Sequence, residues 1–314
     1  MNKEDSIFVA GARGLVGSAI CRALAARGFT RVLAPSRRML DLRDRAAVDR
    51  FLTAERPDYV FMAAAKVGGI VANDSYPADF IRDNLEIQTN VIDAAYRAGT
   101  RKLCFLGSSC IYPRLAPQPM QESSLLTGPL EPTNQWYAIA KIAGIKMCQA
   151  YALQHGFNAI SVMPTNLYGP GDSFDLETSH VLPSLLRKCE AARESGSRDV
   201  TVWGSGTPRR EFLYVDDLAD ALCFLMERYD SPEIINIGCG EDLTIAELAT
   251  LIADVVGFRG ELVFDHSKPD GTPRKLLDIG KVKALGWQPR TPLRDGVRAT
   301  YDWYLKNAKQ ARAG

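Results

Sequence analysis

Ser6-Ile7-Phe8-Val9-Ala10-Gly11-Ala12-Arg13-Gly14-Leu15-Val16-Gly17-Ser18-Ala19-Ile20 decides how this chain folds. Five residues read as a buried strand, and helical periodicity then runs on to Gly28. Between them the glycines stand at 11, 14 and 17, a variant of the turn that cradles dinucleotides. Gly11 permits the tight turn, Gly14 lets backbone approach a pyrophosphate, and Gly17 lets the helix pack close to the strand. The next strand, residues 31–35, ends in Ser36-Arg37-Arg38. An acidic residue there would hold the ribose 2′-hydroxyl of NAD, whereas arginine accommodates a 2′-phosphate. Arg37 and Arg38, with Arg13 in the glycine turn, favour NADP.

Outward from this unit the rhythm repeats. A helix at 46–55 leads to a third strand at 58–65, whose small residues Ala63, Ala64 and Ala65 leave room for a cofactor. Residues 66–70 read as a loop and 77–98 as a long helix stopped by Gly99. The fourth strand, 102–107, delivers Ser108-Ser109-Cys110-Ile111-Tyr112 at its carboxyl end. A Pro-rich loop from 113 to 134 precedes the next helix, and its length hints at function. The fifth strand, 158–163, ends in Pro164-Thr165-Asn166-Leu167. Five strand-helix units in succession predict an α/β, doubly wound parallel sheet. After Gly171 the rhythm changes. The expected division is a cofactor domain over 1–170 with returns near 212–240, and a smaller C-terminal α/β substrate lobe over 171–211 and 241–314. Its expected helices are 179–193, 245–256 and 292–306, with strands at 200–204 and 261–264.

Composition narrows the class. A net charge of +1, with no block of like charge, gives no reason to expect nucleic acid or a membrane surface. No apolar run approaches the ~18 residues of a membrane span. The N-terminus has no signal-peptide core, and the seven cysteines contain no CxxC pair; both point to a reducing cytoplasm. No metal is expected, since no His/Cys/Asp cluster has ligand spacing.

Tyr137-Ala138-Ile139-Ala140-Lys141 puts a phenol and an ammonium on one helical face, one turn apart. A positive neighbour favours the phenolate, which would suit a proton donor to a carbonyl oxygen. Alone, such a pair occurs on many solvated helices. With the glycine turn upstream and Ser108 after the fourth strand, the chain resembles the extended short-chain dehydrogenase/reductase family, with its Rossmann-type fold. The resemblance covers the whole chain. It is sharpest in Gly107–Tyr112, Pro132-Thr133-Asn134, Tyr137–Lys141, 163–170, Trp203–Pro208 and 268–275. These strings are similar to members that epimerise and reduce GDP-4-keto-6-deoxy-D-mannose.

The resemblance implies that NADPH reduces C4 of the keto-sugar, with Tyr137 donating the proton, Lys141 lowering the tyrosine pKa, and Ser108 bonding the same oxygen. It assigns Cys110 and His180 as the base and acid that invert C3 and C5. It extends the cofactor contacts from Gly11, Ala12, Arg13, Gly14, Leu15, Val16, Gly17, Arg37 and Arg38 to Asp41, Leu42, Leu106, Gly107, Ser109, Lys141, Pro164, Thr165, Asn166, Leu167 and His180. For the GDP moiety it points to Lys188, Trp203, Arg210 and Asp270, with Arg209 nearby. It implies a homodimer. Two positions depart from the pattern: Lys188 where arginine is expected, and Asp41 where asparagine is expected. The first keeps a relative acting on another nucleotide sugar as the alternative. A non-catalytic dinucleotide sensor would be expected to lack the serine, tyrosine or lysine, and all three are present.

Overall fold

The computed structural model describes residues 1–176, 179–268 and 270–311. Pro269, part of one motif quoted above, and residues 312–314 at the end of the expected substrate lobe lie outside them. Strands β1 to β13 span Ile7–Ala10, Val32–Leu33, Tyr59–Met62, Lys102–Leu106, Ala159–Pro164, Asn166–Tyr168, Asp199–Trp203, Arg209–Arg210, Phe212–Tyr214, Ile234–Ile237, Leu243–Thr244, Glu261–Asp265 and Arg274–Lys275. Helices α1 to α10 span Leu15–Ala26, Arg45–Glu55, Ile70–Ser75, Pro77–Arg97, Gln135–His155, Val181–Ser195, Val215–Arg228, Ile245–Val256, Gly280–Ala284 and Leu293–Ala311.

Six strands form one sheet in the order β10-β5-β4-β3-β1-β2, and every pairing is parallel. Ile7 faces Tyr59 and Val32; Leu103 faces Ala159. Strands β1, β3, β4, β5 and β10 are almost wholly buried, as continuous Val/Ile/Phe runs require when helices cover both faces. The strand order reverses at β1, so the crevice between the ends of β1 and β3 is the switch point where open α/β sheets bind ligands. Strand β2 is shorter than the expected 31–35 because it is an edge strand and Pro35 has no N–H to offer the ladder. Helix α3 adds to the elements expected from the sequence: its six residues lie between Gly69 and Pro77, too short for a periodic signal.

Two hydrophobic cores result. The first joins the big sheet to α1, α2, α4, α5 and α7. The second gathers Leu182, Leu186, Val200, Val202, Leu248, Ile252, Val297, Tyr301 and Tyr304 from α6, β7, α8 and α10. Leu277, Ile279, Val282 and Trp287 pack into the first core although they follow most of the second in sequence. The chain therefore crosses back, and two short pairings hold the crossing. Strand β6 runs parallel to β9, and β8 lies between β11 and β13. Buried Glu211 fastens this junction by accepting from the backbone N–H groups of Gly240 (2.7 Å) and Leu277 (3.0 Å).

Candidate active site

The glycine turn at the end of β1 has the shape a dinucleotide needs. Gly11 has φ +84°, and a Cβ there would meet Ala64 Cα at 2.8 Å. A Cβ on Gly17 would run into the carbonyl oxygen of Gly11, so α1 sits against the turn only because that position is glycine. Gly14 is open, with Gly11 O at 3.5 Å as the nearest neighbour of a Cβ. It caps α1 without a side-chain acceptor, so the first N–H groups of the helix face outward, a setting that suits an anion. Arg13, Arg37 and Arg38 are exposed around this mouth. The residues present fit a pyrophosphate-containing dinucleotide. Asp41, at the same mouth, is ionised: hydrogen bonds from Arg43 hold its carboxyl down at about 2. If Arg37 and Arg38 hold a 2′-phosphate, replacing both by alanine raises KM for NADPH at least about tenfold while KM for NADH changes little. Parallel steady-state assays with the two cofactors measure this, and equal changes refute the assignment.

The carboxyl ends of β4 and β5 meet beside the turn. Gly107 is required there, since a Cβ would strike the sulfur of Met163. Ser108 Oγ accepts from Cys110 N (3.2 Å) and starts the short turn Ser109–Ile111. Tyr137, in the first turn of α5, has its hydroxyl in the neighbourhood of the Ser108 side chain. Burial pushes the phenol up from its ordinary value, and the nearby Ser108 hydroxyl pulls it back only in part. Lys141 is 3% exposed and donates to Leu106 O at 2.7 Å; its ammonium is 5.8 Å from the Tyr137 ring centre. The expected lowering of the tyrosine pKa by Lys141 is therefore not what this geometry gives: the lysine is turned to the backbone, and desolvation dominates the phenol.

Burial also depresses Lys141 from 10.5 to about 8. Across that interval the unfolded chain binds more protons than the native one, so native stability rises with pH. Below about pH 8 the buried charge costs on the order of 3 kcal/mol. Lys141→Met should remove the slope. Urea unfolding at several pH values from 7.5 to 10 checks this, and identical slopes in both proteins would refute it.

At Cys110 two segments distant in sequence meet. Asn134 Nδ2 donates to its sulfur at 3.4 Å and Lys275 Nζ at 3.6 Å. The parallel pairing of β13 with β8 sets Lys275 opposite Arg210. Arg210 is in the field of Cys110, Glu131 and Asp270, and burial draws its pKa below the usual value. His180 is the cap of α6 and is open to solvent on one side. The protein around its ring, and then the Lys275 ammonium, push it below its usual value. A helix N-terminus acts in the same direction. Asn134 and Lys275 stand in motif strings of the sequence, yet nothing there showed that both would reach one sulfur.

The remaining residues divide. Trp203 is 47% exposed, with Lys188 Nζ at 4.9 Å and Lys268 Nζ at 5.3 Å from its ring centre. Lys188 also donates to Thr201 O at 3.1 Å. Asp270 accepts from Ser205 N (2.7 Å) and Ser205 Oγ (2.8 Å), so it clamps the turn after Trp203. Arg209 is committed to Asp242, with Nε at 2.8 Å, and Arg274 pairs with the same carboxylate. Arg210, not Arg209, is therefore the cation directed at the cleft. On the cofactor side, Thr165 and Asn166 both donate to Glu211 O, tying the end of β5 to the lobe junction. Among the described residues no group of His, Cys, Asp and Glu could hold a metal ion, and no helix is long and apolar enough to cross a membrane.

Known proteins resemble this chain in sequence and fold. The profile of the NAD dependent epimerase/dehydratase family matches residues 7–238. The chain is 61% identical over 306 residues to GDP-L-fucose synthase 1 of Arabidopsis thaliana, covering 98% of this chain and 95% of the relative. It is 54% identical to GDP-L-fucose synthase of Escherichia coli (strain K12), covering 98% and 99%. The crystal structure of a GDP-L-fucose synthetase from Naegleria fowleri bound to NADP superposes with a TM-score of 0.92 at 33% identity, covering 99% of this chain and 97% of that one. The chain belongs to the NAD dependent epimerase/dehydratase family, in the branch that holds the GDP-L-fucose synthases.

Proposed function

We propose that this enzyme converts GDP-4-keto-6-deoxy-D-mannose to GDP-L-fucose with NADPH, by epimerising C3 and C5 and then reducing C4. The observation that carries the reading is the convergence of Ser108, Tyr137 and Cys110 at the carboxyl end of β4. The first two polarise one oxygen, and the third is a nucleophilic sulfur beside it. When bound, NADPH supplies the hydride that reduces the C4 ketone.

The protein's part is proton management. Ser108 and Tyr137 donate to the C4 oxygen, which makes the protons on C3 and C5 acidic because their removal gives a stabilised enolate. A thiolate at Cys110 takes such a proton on one face; His180 returns one from the other face, and the stereocentre inverts. The depressed His180 favours a neutral ring, and the negative diphosphate of an incoming substrate favours protonation again. In the reduction, Tyr137 gives its proton to the oxygen as hydride arrives at C4, which suits a phenol held in its protonated form. Arg210 and Lys188 balance the diphosphate, and Trp203 offers a face to the nucleotide.

On this reading residues 1–170 with returns near 212–240 are the cofactor domain, joined in its core by Leu277, Ile279, Val282 and Trp287, and 171–211 with the rest of 241–314 form the substrate lobe. The protein acts as a homodimer in a reducing cytoplasm. Its seven cysteines are all free. Ile139 and Leu153, 39% and 92% exposed on α5, leave apolar surface that a second copy would cover. The test of function is NADPH oxidation with GDP-4-keto-6-deoxy-D-mannose in deuterated water. GDP-L-fucose carrying deuterium at C3 and C5 is expected. Reduction without exchange would leave a plain 4-ketoreductase.

A further inference from the structure

Among the described residues no carboxylate lies within ion-pair distance of Lys275, although the cations beside it are neutralised: Arg209 and Arg274 both pair with Asp242. The ammonium of Lys275 has one hydrogen-bond partner among those residues, the sulfur of Cys110 at 3.6 Å. The same sulfur accepts from Asn134 Nδ2 at 3.4 Å. Asn134 is the cap of α5, so the sulfur lies against the N-terminus of a helix of 21 residues.

The backbone fixes where that ammonium goes. The pairing of β13 with β8 sets Lys275 beside Arg210. Immediately after it, Leu276 N donates to Gln118 Oε1 (2.9 Å), Met120 N donates to Leu276 O (2.7 Å), and Leu277 N donates to the buried carboxylate of Glu211 (3.0 Å). Of the titratable groups around the sulfur, Tyr137 is uncharged because burial holds its phenol protonated. Arg210 is in the field of Cys110 but donates a guanidinium N–H to Arg209 O at 2.8 Å. Only Lys275 touches the sulfur, and the same ammonium also depresses His180.

We propose that Lys275 keeps Cys110 in its thiolate form and so makes it the working base of the epimerase step. A cation hydrogen-bonded to sulfur favours the ionised form, and a helix N-terminus acts in the same sense. The thiolate takes the proton from C3 or C5, and the C–H electron pair passes into the enolate. The thiol then gives its proton to solvent, which restores the pair. The inference rests on the epimerase reading of Cys110 above and names the group that activates it.

The test is the rate at which iodoacetamide alkylates Cys110, followed by mass spectrometry of the peptide that carries it. Cys110 is only partly buried, and alkylation reads the thiolate without any substrate. At pH 7 Lys275→Met should slow alkylation about tenfold or more, and Lys275→Arg, which returns the cation, should stay within about threefold of wild type. At pH 10 the thiol ionises without help, so the three proteins should converge, which a change in access would not produce. Deuterium exchange at C3 and C5 should fall in Lys275→Met in parallel with alkylation. NADPH binding reports that each variant is folded. Should Lys275→Met fail to fold, Lys275→Gln, which keeps a donor and loses the charge, is read in the same way. Alkylation at the wild-type rate in the folded variant overturns this inference and leaves the epimerase reading standing. Slowed alkylation with undiminished exchange overturns Cys110 as the base, and the role of Lys275 with it.

Discussion

Tyr137→Phe is expected to lower the rate of NADPH oxidation about 10²- to 10⁴-fold, the range for a lost general acid, with NADPH affinity little changed. The phenol is the group placed to hand a proton to the reacting oxygen, with the Ser108 hydroxyl in its neighbourhood. Phenylalanine keeps the ring packed over the buried Lys141 and removes only that oxygen. Because burial holds the phenol protonated at neutral pH, the loss should be the same from pH 6 to pH 8. Stopped-flow absorbance at the nicotinamide band measures the step, and wild-type turnover in the variant would remove Tyr137 from the mechanism. Exchange of the C3 and C5 protons should also slow, since the enolate loses one of its two donors.

Cys110→Ser is expected to suppress deuterium incorporation at C3 and C5 about 10²- to 10⁴-fold while folding is preserved. An alcohol is a far weaker acid than a thiol and supplies almost no conjugate base at neutral pH. The serine oxygen still accepts from Asn134 and Lys275, so the cleft keeps its shape. Reduction should then act on ketone that has not been epimerised, giving a product with the starting configuration at C3 and C5. NMR of substrate incubated in deuterated water without cofactor isolates the exchange from the hydride step. Undiminished exchange would assign the base to another group in the cleft.

The two substitutions divide the chemistry between parts of the chain with different histories in the sequence. Tyr137 and Lys141 are local: four residues apart on one helix, they share a face whatever else the chain does. The glycine turn is largely local too, because Gly14 and Gly17 answer to Gly11 within one strand-helix unit, although Gly11 also answers to Ala64 beyond β3. The partners of Cys110 are different. Lys275 is 165 residues away and arrives through a two-residue strand paired with another two-residue strand. Such strands carry no periodicity to read. The same holds for β6 and β9, whose pairing joins the lobes.

Charged residues behaved in the same way. Arg209 and Arg210 are neighbours in sequence, and only the position of Asp242 decides that the first is a structural partner and the second faces the cleft. Asp41 reads as a departure from a family pattern, and Arg43, two residues later, folds back onto it and pairs with its charge. Lys141 reads as the partner of Tyr137, but its ammonium donates to the carbonyl of Leu106 and burial reverses the expected shift on the phenol.

By itself, then, the sequence determined the parallel sheet, its glycine turn and the residues Ser108, Tyr137 and Lys141 at one edge. Hydrophobic period and glycine placement act over a few residues, and a parallel sheet aligns all its carboxyl ends. Tertiary structure alone decided which charges neutralise each other and which face the cleft. Those outcomes depend on distances of 3–4 Å between groups up to 165 residues apart, set by short pairings at the lobe junction.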